Sequence, residues 1–162
     1  MDLRHRLAII NFASAVRELR AAGVIRSHRY LGDLAEFLCA KAFDIDLASN
    51  LRQVGHDGMR EQLRVQIKYN GGKKTNVGLG DPTTYDEVYV VLGPDSVIRK
   101  YDHPADFLIY KLTAKAVQDK GPTIGGEYSC GAECFNREPD RAISLAEPPA
   151  TSNEEEAQAD EL

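Results

Sequence analysis

The chain has no tryptophan, two methionines and three cysteines in 162 residues. Cys39, Cys130 and Cys134 are too few to staple a chain of this length. That excludes a disulfide-built secreted scaffold and fits a reducing cytoplasm. No apolar run reaches the roughly 18 residues that a membrane-spanning helix needs, so no membrane partner is expected. Charged residues crowd the start, Met1-Asp2-Leu3-Arg4-His5-Arg6, with no uninterrupted apolar block behind them, so a signal peptide is not expected. No Gly-x-Ser-x-Gly elbow is present, which removes the α/β-hydrolase type of serine hydrolase. No internal repeat is visible.

Basic residues are also missing from one end. No Lys or Arg follows Arg141, whereas residues 147–162 carry Glu147, Glu154, Glu155, Glu156, Asp160 and Glu161. All 20 basic residues and 19 of the 25 acidic ones therefore lie in residues 1–146, which leaves that body at +1. The acidic pI does not exclude a nucleic-acid partner, because clustered basic residues on a neutral body suffice. Residues 147–162 are rich in Pro, Ser and Glu and cannot bury enough apolar surface to offset their ordering entropy. The chain divides into one α/β domain, 1–146, and a disordered acidic tail, 147–162.

Apolar periodicity sets the expected elements. Leu3 to about Ala22 reads as a helix with an Ile9, Phe12, Val16, Leu19 stripe, ended by Gly23. Tyr30 to Phe43 reads as a second helix with Leu31, Leu34, Ala35, Leu38 and Ala42 facing the core and Glu36 on the flank of that stripe. Arg64-Val65-Gln66-Ile67-Lys68-Tyr69 alternates as a strand does, with Val65, Ile67 and Tyr69 on one face. Glu87 to Leu92 is an apolar run expected to be a central strand covered on both faces. Val97 to Tyr101 is its expected hairpin partner. Pro104 is expected to open a third helix, with Leu108, Ile109, Leu112 and Ala116 inward and Lys111 and Lys115 outward. Beyond Gly121 the pattern assigns no element. This order implies an α/β fold, a central mixed β-sheet flanked by helices.

The segment His56 to Lys68 carries the chemistry. A hairpin with its tight turn at Glu61-Gln62 pairs 60 with 63, 59 with 64, 58 with 65 and 57 with 66. Directly opposed residues share a face. Asp57, Gln66 and Lys68 then form one polar constellation while Val65, Ile67 and Tyr69 fill the core. Oxygen ligands suit a hard cation such as Mg²⁺, and metal plus lysine suits phosphodiester hydrolysis. Taken alone, Gln66 and Lys68 also read as the solvated face of an amphipathic strand, and Glu36 as an ordinary surface acid.

An acid on an early helix, then Asp, then a strand reading acid-or-Gln, apolar, Lys resembles the PD-(D/E)XK, or restriction-endonuclease-like, nuclease superfamily. The residues that carry the resemblance are Glu36 in Gly32-Asp33-Leu34-Ala35-Glu36, Asp57 in Gly55-His56-Asp57-Gly58, and Gln66-Ile67-Lys68, the Gln variant of the (D/E)XK tripeptide. It covers residues 30–92 and departs from the pattern at His56, which stands for proline, and at Gln66, which removes one negative charge. The resemblance implies a Mg²⁺-dependent endodeoxyribonuclease in which Mn²⁺ can substitute. Asp57, Gln66 and the backbone carbonyl of Ile67 hold the metal, Lys68 activates water, and Glu36 supports the metal or the lysine. DNA is the implied partner; lone domains of about this size often dimerise to cut both strands, although nothing in the sequence shows a homodimer surface. The alternatives are a catalytically inactive module of the same fold that binds nucleic acid or a protein, and a small protein-interaction domain of similar topology.

Gly71-Gly72-Lys73-Lys74-Thr75 lacks P-loop spacing. Lys73 and Lys74 read either as DNA-phosphate contacts or as a plain basic surface loop. Cys130 and Cys134, with no companion His or Cys nearby, are too few for a structural zinc site and are expected as free thiols.

Overall fold

The computed structural model describes residues 2–50, 55–99 and 102–145. Its elements run α1 (Leu3–Ala21), α2 (Tyr30–Phe43), β1 (Asp46–Leu47), β2 (Gly58–Arg60), β3 (Leu63–Asn70), β4 (Asn76–Gly78), β5 (Glu87–Leu92), β6 (Phe107–Thr113), α3 (Ala114–Lys120), β7 (Ser129–Gly131), a 3-10 turn (Ala132–Cys134) and β8 (Arg141–Ile143). Six strands form one sheet in the order β1-β2-β3-β5-β6-β8, and β4 pairs with β7 apart from it. Within the large sheet β3 and β5 are parallel and the other neighbours antiparallel. This is the expected α/β architecture with a mixed central sheet.

All six residues of β5 are buried. Its β-branched residues suit a pleated surface, and burial of each Val is worth roughly 1.5–3 kcal/mol. Tyr89 and Val91 join Val65, Ile67 and Ile109 under Ala35, Leu38 and Cys39 of α2. On the other face Val88, Val90 and Leu92 pack with Leu108, Tyr110, Val117 of α3 and Phe135. The sheet is therefore covered on both sides, and the alternation along β3 places Gln66 and Lys68 on the face opposite α2.

Both N-terminal helices form where expected. Asp2 caps α1 by accepting from the His5 N–H at 2.9 Å. Yet no α1 residue is buried, and Ile9 and Phe12 are more than half exposed. In α2, Ala35 and Leu38 are buried as expected and Leu31 is not. No helix among the described residues is long and apolar enough to cross a membrane.

Three expectations are corrected. The antiparallel partner of β5 is β6, not Val97–Tyr101. Val97 and Ile98 lie in a turn instead, and residues 100 and 101 fall outside the described set. Pro104 opens no helix: Phe107-Leu108-Ile109-Tyr110 is a continuous apolar run on β6, whose residues Leu108 to Thr113 pair residue for residue with β5, so Lys111 stands on a strand. The helix starts later, where Thr113 Oγ1 accepts from the Ala116 N–H at 3.1 Å, and only Lys115 is helical. Cys130 and Cys134 are joined as a disulfide rather than free. The 3-10 turn brings position 134 back beside 130, a proximity that spacing alone does not reveal. The acidic tail, 147–162, lies outside the described residues.

A buried carboxylate ties the strands across the sheet. Glu87, 6% exposed, accepts from Arg60 of β2 at 3.0 Å and from the Tyr89 hydroxyl at 2.8 Å, with Lys111 of β6 at 3.5 Å. Arg60→Met strips this buried charge of its best partner and should lower unfolding stability by about 2–4 kcal/mol. Urea unfolding checks it, and a change under about 0.5 kcal/mol would show that Lys111 and Tyr89 hold Glu87 unaided.

Candidate active site at the sheet edge

The hairpin that carries Asp57 has the register expected from the sequence: Gly58 opposes Val65, Met59 opposes Arg64 and Arg60 opposes Leu63. Glu61 takes the left-handed conformation, φ 56°, that glycine or asparagine usually fills in such a turn. Gly58 is set by β1, because a Cβ there would lie 2.6 Å from the Asp46 carbonyl oxygen. β1 can lie this close to β2 only over a residue without a side chain.

Beyond Gly58 the chain peels away from β3. The Asp57 N–H still donates to the Val65 carbonyl at 2.8 Å, and the Asp57 carbonyl accepts from Ala48 at 2.9 Å. The next edge group of β3, the Ile67 N–H, is taken over by the Asp57 side chain, Oδ2 accepting it at 2.7 Å. The Gln66 amide donates to the same oxygen. Both bonds fall on Oδ2, so Oδ1 has no donor among the described residues. In a strand a residue's N–H and C=O point to the same edge, so the Ile67 carbonyl faces the side that β2 has vacated.

Glu36 approaches from α2. It is 7% exposed, and its Oε2 accepts from Arg26 Nη2 at 2.5 Å, while Arg26 Nη1 donates to the Ala48 carbonyl at 3.0 Å. Burial pushes the Glu36 carboxyl above its ordinary 4.5, the Arg26 hydrogen bond opposes that rise, and the Asp57 charge adds to it. Asp33, also buried, accepts from the Arg26 N–H at 2.6 Å and from Ser27, and so fixes the loop that delivers Arg26. Glu36 and Asp57 share an open cleft with Arg26, Arg29, Ala48, Asn50 and His56.

The structure thus brings Gln66 and Ile67 onto the Asp57 carboxylate and brings Asp57 into one cleft with Glu36, a cleft that neither Gln66 nor Ile67 lines. Lys68 shares the strand face of Gln66, is half-buried, and has no hydrogen bond or ion pair with a described residue. It does not line the cleft between Asp57 and Glu36. Lys73 and Lys74 are exposed in the loop after β3, where Asn70 Nδ2 binds the Lys74 carbonyl at 3.0 Å. Sequence reasoning missed Arg26 and Asp33. The signal for Asp33 was an acid in the first turn of α2, but Arg26 was one of many arginines, and its pairing with Glu36 is purely tertiary.

The donor set suits a hard divalent cation. Asp57 Oδ1, the carbonyl of Ile67 and the Gln66 amide oxygen are all oxygens, and Glu36 Oε1 carries no described donor. No protein-family model matches the chain, and no curated protein matches it significantly in sequence.

The raised Glu36 carboxyl has a consequence for stability. A carboxyl that holds its proton more tightly when folded incurs no penalty below pH 4.5, and a growing one as pH rises through its folded value. Glu36→Gln should therefore melt at the same temperature as the parent in acid and above it near neutrality. Thermal melts across that range check it. A variant less stable at neutral pH would mean that the Arg26 contact outweighs burial.

Proposed function

We propose that this chain is a metal-dependent endodeoxyribonuclease of the restriction-endonuclease-like kind, with Mg²⁺ as its cofactor and Mn²⁺ able to replace it. The observation that carries the reading is the placement of the Asp57 carboxylate at the vacated edge of β3. One oxygen is held by Gln66 and Ile67, and the other has no donor among the described residues. The α/β sheet and the buried Glu36 next to Asp57 support it.

In this reading Asp57 Oδ1 and the Ile67 carbonyl are the main ligands. Gln66 orients Asp57 through its N–H and offers its amide oxygen as a further ligand. Bound Mg²⁺ supplies Lewis-acid polarisation of the scissile phosphate and a more acidic water. Lys68, whose ammonium is uncommitted, orients the attacking water and neutralises the charge that develops on the phosphate. Glu36, anchored by Arg26, keeps a second carboxylate within reach of the metal. The exposed Lys73 and Lys74 contact DNA phosphates further along the duplex.

A second reading rests on one feature of the same site. Gln66 is neutral and Arg26 already neutralises Glu36, so of the two carboxylates lining the cleft Asp57 is the one without an ion pair to a described residue. A cleft of this charge also suits a catalytically inactive module that binds nucleic acid or a protein. Cleavage of linear, circular and single-stranded DNA with Mg²⁺ or Mn²⁺ separates the two. The nuclease cuts only with metal, and Asp57→Ala and Lys68→Ala each lower the rate by about 100-fold or more. No cutting by the parent with either metal favours the second reading, and cutting that both variants leave unchanged overturns the assignment of the activity to this site.

A further inference from the structure

A second group of metal-ligating side chains lies at the core cluster that contains Val88, Val90 and Leu92. The Cys130 and Cys134 sulfurs and a Glu133 carboxylate oxygen lie within 4.8 Å of one another. Cys130 is fixed at its base: it is 2% exposed, packs in the core under Val77 and Phe135, and its strand β7 pairs with β4. The 3-10 turn then brings Cys134 back over it, half-exposed.

Glu133 is held beside these sulfurs by two donors, and Cys134 Sγ lies 3.8 Å from its Oε1. Its Oε1 accepts from Lys120 at 2.9 Å and from the Gly131 N–H at 3.1 Å, and Oε2 has no described donor. A Cβ at position 131 would lie 2.6 Å from that free Oε2, so the absence of a side chain there gives the carboxylate its position. Lys120, at the end of α3, also donates to the Ser129 carbonyl at 2.9 Å and stands 3.7 Å from the Cys130 sulfur.

We infer that Cys130, Glu133 and Cys134 form a binding site for a thiophilic divalent cation, Zn²⁺ by donor type, in the reduced protein, and that the disulfide is the metal-free form of the same site. Two sulfurs and one oxygen suit a borderline-soft ion and not Mg²⁺. Three protein ligands leave a fourth position open to solvent. Two thiolates, one carboxylate and a 2+ ion sum to −1, which the adjacent Lys120 ammonium balances. Entry into the metal form is a thiol exchange. Two equivalents of a small-molecule thiol open the Cys130–Cys134 bond, giving two cysteine thiols and one external disulfide. The cation then displaces the two thiol protons to solvent. Cys39 takes no part, since it is wholly buried in the other core cluster.

The test is a Co²⁺ titration of the full chain, reduced and held without oxygen, read by the sulfur-to-cobalt charge-transfer absorption and followed by displacement with Zn²⁺. The reduced parent should take up one equivalent with that band, and the oxidised protein should show none. Cys134→Ser should lose most of the band. Gly131→Ala, which crowds only the carboxylate, should keep the band and bind about 10-fold more weakly. A reduced parent without the band, whether or not it stays folded, overturns the inference. So does a band that Cys134→Ser leaves unchanged.

Discussion

The side-chain hydrogen bond from the Ile67 N–H to Asp57 Oδ2, 2.7 Å long, is the contact on which the site depends. A sheet edge cannot leave a half-buried N–H unpaired without cost. β2 could pair it only by continuing past Gly58, but β1 lies across Gly58 too closely for any side chain and the chain turns away. Asp57 therefore completes the ladder with its carboxylate instead of its backbone. The same step that satisfies the edge places an acid beside an outward-facing carbonyl. Structural need and the proposed metal chemistry use opposite oxygens of one residue.

The charges around that acid are arranged unevenly. Glu36 and Asp33 are both buried in α2, and both act on the segment that carries Arg26, one through its guanidinium and the other through its backbone. Arg26 in turn reaches the carbonyl of Ala48, just past β1. The loop before α2, α2 itself and the end of β1 are thereby held together at the cleft. Glu87, Arg60 and Lys111 do the same across the strands, with a carboxylate of β5 engaged from β2 and from β6. Among the described residues, buried Glu36 and Glu87 each have a cationic partner and buried Asp33 is satisfied by backbone and hydroxyl donors, as the cost of burying a lone charge requires. Half-buried Asp57 has no ion pair with a described residue.

How much of this was legible differs by element. The register of the hairpin could be read from sequence because a period of two and a fixed turn centre leave one register; the expected pairing of 57 with 66 does not form, since the ladder ends at Gly58 and Val65 and Asp57 reaches Gln66 through its side chain. The burial of β5 was legible from six consecutive residues with little polarity. β6 was misread because Leu108, Ile109, Leu112 and Ala116 also satisfy helical spacing, and the run Phe107–Tyr110 had to be weighed above that pattern. The helical start belonged to Thr113, whose capping hydroxyl is a stronger local signal than a proline nine residues earlier. The Arg26–Glu36 pair and the Cys130–Cys134 bond depend on how loops fold back, and no periodicity reports that. The exposed apolar residues of α1 show the reverse case, a stripe that periodicity finds and the fold leaves uncovered.

The most direct test of the site is to locate the metal itself. Crystals of the protein soaked in Mn²⁺ and measured for anomalous scattering should show one peak bonded to Asp57 Oδ1 and the Ile67 carbonyl, at about 2.0–2.6 Å as for hard cations on oxygen. A peak elsewhere, or none within ligand distance of Asp57 while the hairpin stays intact, would contradict the account. The Asp57 carboxylate would then be a cap on the edge of β3 and nothing more.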